Sequence, residues 1–185
     1  GRSGQFEILN TEDMFSLPNN EDEVYFRDWR ALGVDYLLIG NSIVKNEKLQ
    51  LDYILFDVYA EKKLLNKKIN QSISFERKIA HKVSDTVYEK LTGVPGAFSS
   101  RLLYVSFKSN SNNPLYRLIL SDADGANALE ILRSSEPILS PSWSPNGKDI
   151  AYVSFETQRP AIYKQRISSG KRKKITNFKG LNSSP

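Results

Sequence analysis

The 185 residues include no cysteine, one histidine and one methionine. Without cysteine there is no disulfide, no thiolate nucleophile and no thiolate metal site, and the redox compartment leaves no trace. His81 is the only imidazole. A Ser–His–Asp arrangement would have to be built on it, and the Gly-x-Ser-x-Gly elbow that usually accompanies one is missing. The remaining carboxylates are scattered, and Asp122 with Asp124 reads more simply as a turn than as a calcium site. No catalytic residue, metal or cofactor is therefore expected. No apolar run approaches the ~18 residues of a membrane helix, so no direct membrane span is expected. A net charge of +5 favours acidic partners slightly but falls short of a nucleic-acid signature. With 39% hydrophobic and 25% charged residues the chain reads as a folded protein.

What is present is a repeat. Ser140-Pro141-Ser142-Trp143-Ser144-Pro145-Asn146-Gly147 leads into Asp149-Ile150-Ala151-Tyr152-Val153-Ser154-Phe155, and Leu103-Tyr104-Val105-Ser106-Phe107 matches the core of that second half. Tyr104 and Tyr152 are 48 residues apart. A period of this size points to a propeller or solenoid, in which each unit hides its faces only against its neighbours. Propellers usually work through the loops of one face, so binding is expected rather than catalysis.

Residues 1–93 show no repeat and read as an α+β domain, a mixed sheet with two helices. Phe6–Leu9 looks like a short strand, and Thr11 is placed to cap a helical turn over Glu12–Phe15. Phe26–Leu32 reads as a helix ended by Gly33. Strands are expected at Val34–Val44 and Leu49–Val58, the second with alternating Leu49, Leu51, Tyr53 and Leu55, and a third at Leu64–Ile73 after a turn at Glu61-Lys62-Lys63. Ile79, Val83, Val87 and Leu91 recur at helical spacing within Ser74–Leu91, an amphipathic helix to be packed on the sheet. His81 borders that stripe, and a structural role is expected for it. Residues 94–100 are the linker.

From residue 101 the pattern is all β. Strands are expected at Leu102–Phe107, Leu115–Leu120 and Ala128–Leu132, with Asp124-Gly125 as a positive-φ hairpin turn. A second unit opens at Ser142-Trp143-Ser144 and continues through Asp149–Phe155, Ala161–Ile167 and Lys173–Phe178. If the strands of a blade are named A to D, the first blade (about 101–133) has B to D. The second (about 141–178) has all four, and a third starts at about 181–185. Two blades cannot close a ring of four to eight. The first blade lacks an A strand, and an open sheet edge gives a reason to borrow one from the far end of a longer chain. A start at Gly1 without methionine or secretory leader, and an end that leads into another repeat, fit a piece of such a chain.

The repeat Pro-x-Trp-Ser-Pro-Asn-Gly-x-x-Ile-Ala-Tyr-x-Ser resembles that of TolB-like propellers and of some propeller peptidases. Asp28-Trp29-Arg30-Ala31-Leu32-Gly33-Val34-Asp35 and Val87–Phe98 resemble the TolB amino-terminal domain in particular. Ser121–Gly125 and Ser135–Pro141 continue the match. The resemblance implies a small α/β domain followed by a six-bladed propeller of TolB/WD40-like repeats, secreted to the Gram-negative periplasm. It implies a non-enzymatic scaffold of the Tol-Pal system, supporting outer-membrane integrity, protein transport and invagination during cell division. The implied partners are the peptidoglycan-associated lipoprotein, on the propeller, and the inner-membrane Tol proteins, through the mature amino terminus. The sequence departs from that pattern in two places. The segment that would reach the inner-membrane proteins is absent or nearly so, and four of six blades are absent. The alternative is the propeller segment of a peptidase or hydrolase whose catalytic domain lies elsewhere.

Strand A lines the axis of a propeller, so the residues just before it rim the channel. Here these are Ser135, Glu136, Pro137, Ile138 and Leu139, and in the next unit Gly180, Leu181, Asn182, Ser183 and Ser184. Small and apolar residues with a few polar ones suit a protein-binding rim. Trp143 is expected to pack between blades, and Trp29 in the core of the first domain. Lys171-Arg172-Lys173-Lys174 reads as the start of outer strand D, where lysines discourage edge pairing. Anionic lipid is the other possible reading, and nucleic acid lacks an aromatic platform there.

Overall fold

The computed structural model describes residues 4–109, 113–176, 178–180, 182 and 185. The chain divides into two compact units, Gly1–Gly96 and Ala97–Pro185. Each is built from hairpins, because a tight turn follows almost every strand.

In the first unit β1 (Tyr36–Lys45), β2 (Lys48–Asp57) and β3 (Lys62–Ser72) form a sheet in the order β1-β2-β3. It is antiparallel throughout rather than mixed. Asn46 and Glu47 join β1 to β2 with φ of 49° and 59°. Two consecutive positive φ values give the turn whose twist suits a two-residue hairpin. Between β2 and β3, the Asp57 carboxylate accepts from the Ala60 N–H at 2.8 Å and Glu61 takes φ 51°.

Helix α1 (Phe26–Ala31) ends at Leu32, and Gly33 follows in the left-handed region at φ 72°. Trp29 is buried with Leu37, Ile39, Phe56 and Val58, while Leu9, Met14, Val24 and Phe26 pack around them. Arg30 Nη1 ties the helix to the β2–β3 turn, donating to Val58 O at 3.2 Å and Glu61 Oε1 at 2.7 Å. Helix α2 (Glu76–Thr92) follows a 3-10 turn at Ile73–Phe75 and contacts β3. Its Ile79 is buried, and Val83, Val87 and Leu91 are half-buried. Gly93 closes it at φ 74°, its N–H donating to Glu89 O at 2.8 Å. Phe6–Leu9 forms no strand. Leu9 instead packs on the Trp29 cluster, and Phe6 meets Tyr88 edge-on at 6.0 Å. Thr11 is the first residue of a 3-10 turn, Thr11–Asp13, and does not cap it.

The second unit holds two sheets. β4 (Arg101–Lys108), β5 (Leu115–Asp122) and β6 (Leu129–Ser134) form one. β7 (Ile138–Trp143), β8 (Asp149–Ser154), β9 (Ala161–Arg166) and β10 (Arg172–Lys174) form the other, in the order β10-β9-β8-β7. These are blade-like sheets, one without an A strand and one with all four, and they do not make a closed ring. They meet through one core, in which Leu118, Ile138, Ile150, Tyr152, Ala161 and Tyr163 are buried, with Leu103, Val105, Tyr116, Leu132 and Trp143 against them. Burying such side chains stabilises by about 1.5–3 kcal/mol each.

Two expectations change here. Strand D stops at Lys174 instead of Phe178, because Thr176 Oγ1 accepts the Ile162 N–H at 2.9 Å and breaks the ladder. The β5–β6 turn has only Gly125 at positive φ (83°) of the expected pair, with Asn127 at 51°. The loop is longer than two residues and is held by Asn127 Nδ2 donating to Asp122 Oδ2 at 2.6 Å.

Candidate partner-binding face

The candidate face is built on β7, the edge strand of the four-stranded sheet next to β8. Ile138 pairs with Ser154 and Leu139 with Val153, then the register slips before Ser142 pairs with Ala151. The slip falls at Ser140-Pro141. Proline has no N–H for the ladder, and Ser140 takes φ 49°, a conformation that costs a non-glycine residue energy. The bulge turns Leu139 (47% exposed) and Ser140 outward together. Before the strand, Glu136 is exposed, its N–H donating to Ser134 Oγ at 2.9 Å, and Pro137 is half-buried, its carbonyl accepting the Phe155 N–H at 3.1 Å.

The proposed rim residues thus separate. Glu136 and Leu139 are exposed, and Pro137 is half-buried. Ile138 does not belong with them: it lies inside β7, not before it, and is fully buried in the core between the sheets. Strand alternation puts its side chain opposite that of Leu139. Asn182 is also buried, its amide donating to Phe178 O at 3.1 Å and Gly180 O at 3.3 Å. Its side chain holds its own turn instead of facing outward. Leu181, Ser183 and Ser184 lie outside the described residues. Ser140 joins the exposed positions, and the Ser-Pro step inside a strand is the sequence signal of its bulge.

The turn after β7 explains the Trp-Ser-Pro-Asn-Gly run. Ser144 Oγ donates to Asn146 Oδ1 at 2.6 Å and accepts the Asp149 N–H at 3.1 Å, and Asn146 Oδ1 also accepts the Lys148 N–H at 2.9 Å. Gly147 takes φ 63°. From the neighbouring sheet Arg101 lays its guanidinium over the Trp143 ring at 4.7 Å and donates from Nη2 to Gly147 O at 3.1 Å. Trp143 therefore packs between the sheets, and an arginine in β4 clasps the motif.

The basic run is half turned inward. Arg172 pairs with Glu156, lies 5.0 Å over the Tyr163 ring and reaches the Tyr152 hydroxyl at 3.4 Å. That hydroxyl donates to Gln165 Oε1 at 2.9 Å. Burial and the bond to Glu156 push the Tyr163 hydroxyl up to about 12. Burial opposes ionisation of Glu156, but hydrogen bonds from Arg172 and Tyr163 and the charges of Arg172 and Lys174 outweigh it and hold its carboxyl below the ordinary value. This network, with Tyr152 and Tyr163 buried and Arg172 and Glu156 at the surface, links β8, β9 and β10. Strand alternation puts Lys173 on the opposite face, beside Lys164.

Residues 88–185 match the TolB beta propeller domain, and residues 1–64 match the TolB amino-terminal domain. The chain belongs to the TolB family. It is 48% identical over 184 residues to the Tol-Pal system protein TolB of Pseudomonas fluorescens Pf-5, covering 99% of this chain and 42% of that protein. The counterpart in Alcanivorax borkumensis is 46% identical over 187 residues, covering 100% and 43%. The crystal structure of TolB from Acinetobacter baumannii superposes with a TM-score of 0.80 at 44% identity, over 87% of this chain and 40% of that one. The chain thus spans about two fifths of the length of its TolB relatives.

Proposed function

We propose that this chain is the amino-terminal domain and first two blades of a non-catalytic, periplasmic scaffold of the Tol-Pal system. The blades present a docking rim for the peptidoglycan-associated lipoprotein, and the inner-membrane Tol proteins are engaged through the amino-terminal side of the mature protein. Bridging the two supports outer-membrane integrity and invagination at division. The family match along the whole chain carries the Tol-Pal reading. The bulge at Ser140-Pro141 carries the choice of face, because it turns Leu139 and Ser140 outward next to Glu136. A bulge conventionally re-aims side chains at a functional edge. Leu139 supplies apolar area and Glu136 a charge to fix register, as in a protein interface.

Residues 97–185 carry thirteen Lys and Arg against six Asp and Glu, so the second unit is the basic one. A basic blade surface fits an acidic protein partner and steers its approach. The test is binding of the soluble lipoprotein domain to this chain by calorimetry. Leu139→Ala with Glu136→Arg is expected to weaken binding about tenfold or more while the unfolding midpoint stays within a degree or two of the parent. Unchanged affinity in the double variant would remove this face from the account.

A further inference from the structure

We propose, on the reading of this end of the second blade as a docking rim, that Arg159 is its charged anchor and takes a carboxylate of the bound protein partner in a two-pronged ion pair. Ser154 pairs with Ile138 on one side and with Ala161 on the other. The β8–β9 loop, residues 155–160, therefore stands at the same end of the sheet as Glu136 and Pro137. The Phe155 N–H, donating to Pro137 O at 3.1 Å, ties the loop to the entry of β7. Further blades of a propeller stack on the faces of such a sheet and leave the ends of its strands open. The place of this loop at one end of the blade thus does not depend on which blades flank it.

The loop is shaped to hold Arg159. The Gln158 N–H donates to Phe155 O at 2.7 Å, and Gln158 takes φ 61°, which costs a non-glycine residue energy. Pro160 follows and confines Arg159 to extended backbone. An exposed guanidinium is so carried on a backbone constrained from both sides. The loop's own carboxylate, Glu156, is engaged by Arg172. Among the described residues the Arg159 guanidinium forms no hydrogen bond and no ion pair, so the fold has no use for its donors. A planar guanidinium offers two parallel N–H groups to one carboxylate. A stiff backbone beneath it lowers the ordering cost of that bond. The basic character of the second unit favours a partner whose contact surface is acidic.

Calorimetric titration of the chain with the soluble lipoprotein domain tests this. Arg159→Gln should weaken binding about tenfold or more. Arg159→Lys keeps the charge but loses the fork, and should weaken it about threefold or more. Both changes are exposed and should leave the unfolding midpoint within about two degrees of the parent. On the partner, acidic residues replaced one at a time by their amides should include one whose effect disappears once Arg159→Gln is present. Binding that ignores Arg159→Gln, or an Arg159→Lys variant equal to the parent, overturns the role of Arg159 and leaves the docking reading standing. So does a partner in which no carboxylate is coupled to Arg159. A parent chain that does not bind at all overturns the docking reading and the role of Arg159 with it.

Discussion

Gly96 has no room for a methyl group: a Cβ there would lie 2.6 Å from Asp85 Cα and 2.5 Å from Asp85 Oδ1. The chain leaving α2 passes so close to the helix that backbone would have to move. Gly96→Ala is expected to cost about 1–3 kcal/mol in urea unfolding of the first unit. Gly93→Ala is strained for a different reason, its φ of 74°, and should cost about 1 kcal/mol. In the second unit the Tyr163 hydroxyl titrates higher folded than unfolded. Stability is complete below its ordinary 10 and drains as pH rises from there to about 12. At the acid end the Glu156 contribution is present above its ordinary 4.5 and is lost as pH falls through its depressed native value. Tyr163→Phe should flatten the alkaline decline in thermal midpoint, and an unchanged slope would place that titration elsewhere. Residue roles of this kind were only partly legible in the sequence. Trp29, in an amphipathic helix, and Trp143, in strand A, sit in the packed positions those placements imply. Ile138 reads as rim only if strand A begins at Ser142; the strand begins four residues earlier and buries it fully. The inward turn of Arg172 depends on Glu156, sixteen residues away, and no local pattern in the basic run points to it.

Tyr104 and Tyr152 occupy equivalent places in β4 and β8, yet Tyr152 is fully buried and Tyr104 is 39% exposed. The difference comes from neighbours and not from the strands themselves. The first sheet covers the Tyr152 face of the second, while the corresponding face of the first, with Leu102 46% exposed, has no such cover among the described residues. Tyr152→Ala should therefore cost about 3–5 kcal/mol and Tyr104→Ala less than about half of that, measured by denaturant unfolding. Equal costs would mean that the two sheets do not pack as repeats. Strands and helices with a clean period were readable: β2 from its alternation, α2 from its i+4 stripe. The missed elements are the ones governed by single contacts. Phe6–Leu9 has strand-like composition but takes its place from Leu9 on the Trp29 cluster and Phe6 on Tyr88. The early end of β10 is set by the Thr176 hydroxyl, a side chain that substitutes for the ladder.

At the scale of the whole molecule, the excess positive charge lies entirely in the second unit, since residues 1–96 hold thirteen Lys and Arg against fifteen Asp and Glu. Partner binding through the blades should consequently weaken as salt rises, mainly through a slower association rate. The family was legible because its motifs run the length of the chain in order. The rim was less so, because a bulge at Ser140 decides which side chains face outward, and a bulge is set by the register of two strands. The most direct measurement grafts residues 1–185 onto the remaining blades of the Pseudomonas fluorescens relative and titrates the graft with the soluble domain of the peptidoglycan-associated lipoprotein. The account predicts affinity within about tenfold of the relative's own, and a loss of about tenfold or more on adding Glu136→Arg and Leu139→Ala. A folded graft that does not bind, or whose binding ignores both substitutions, would contradict it.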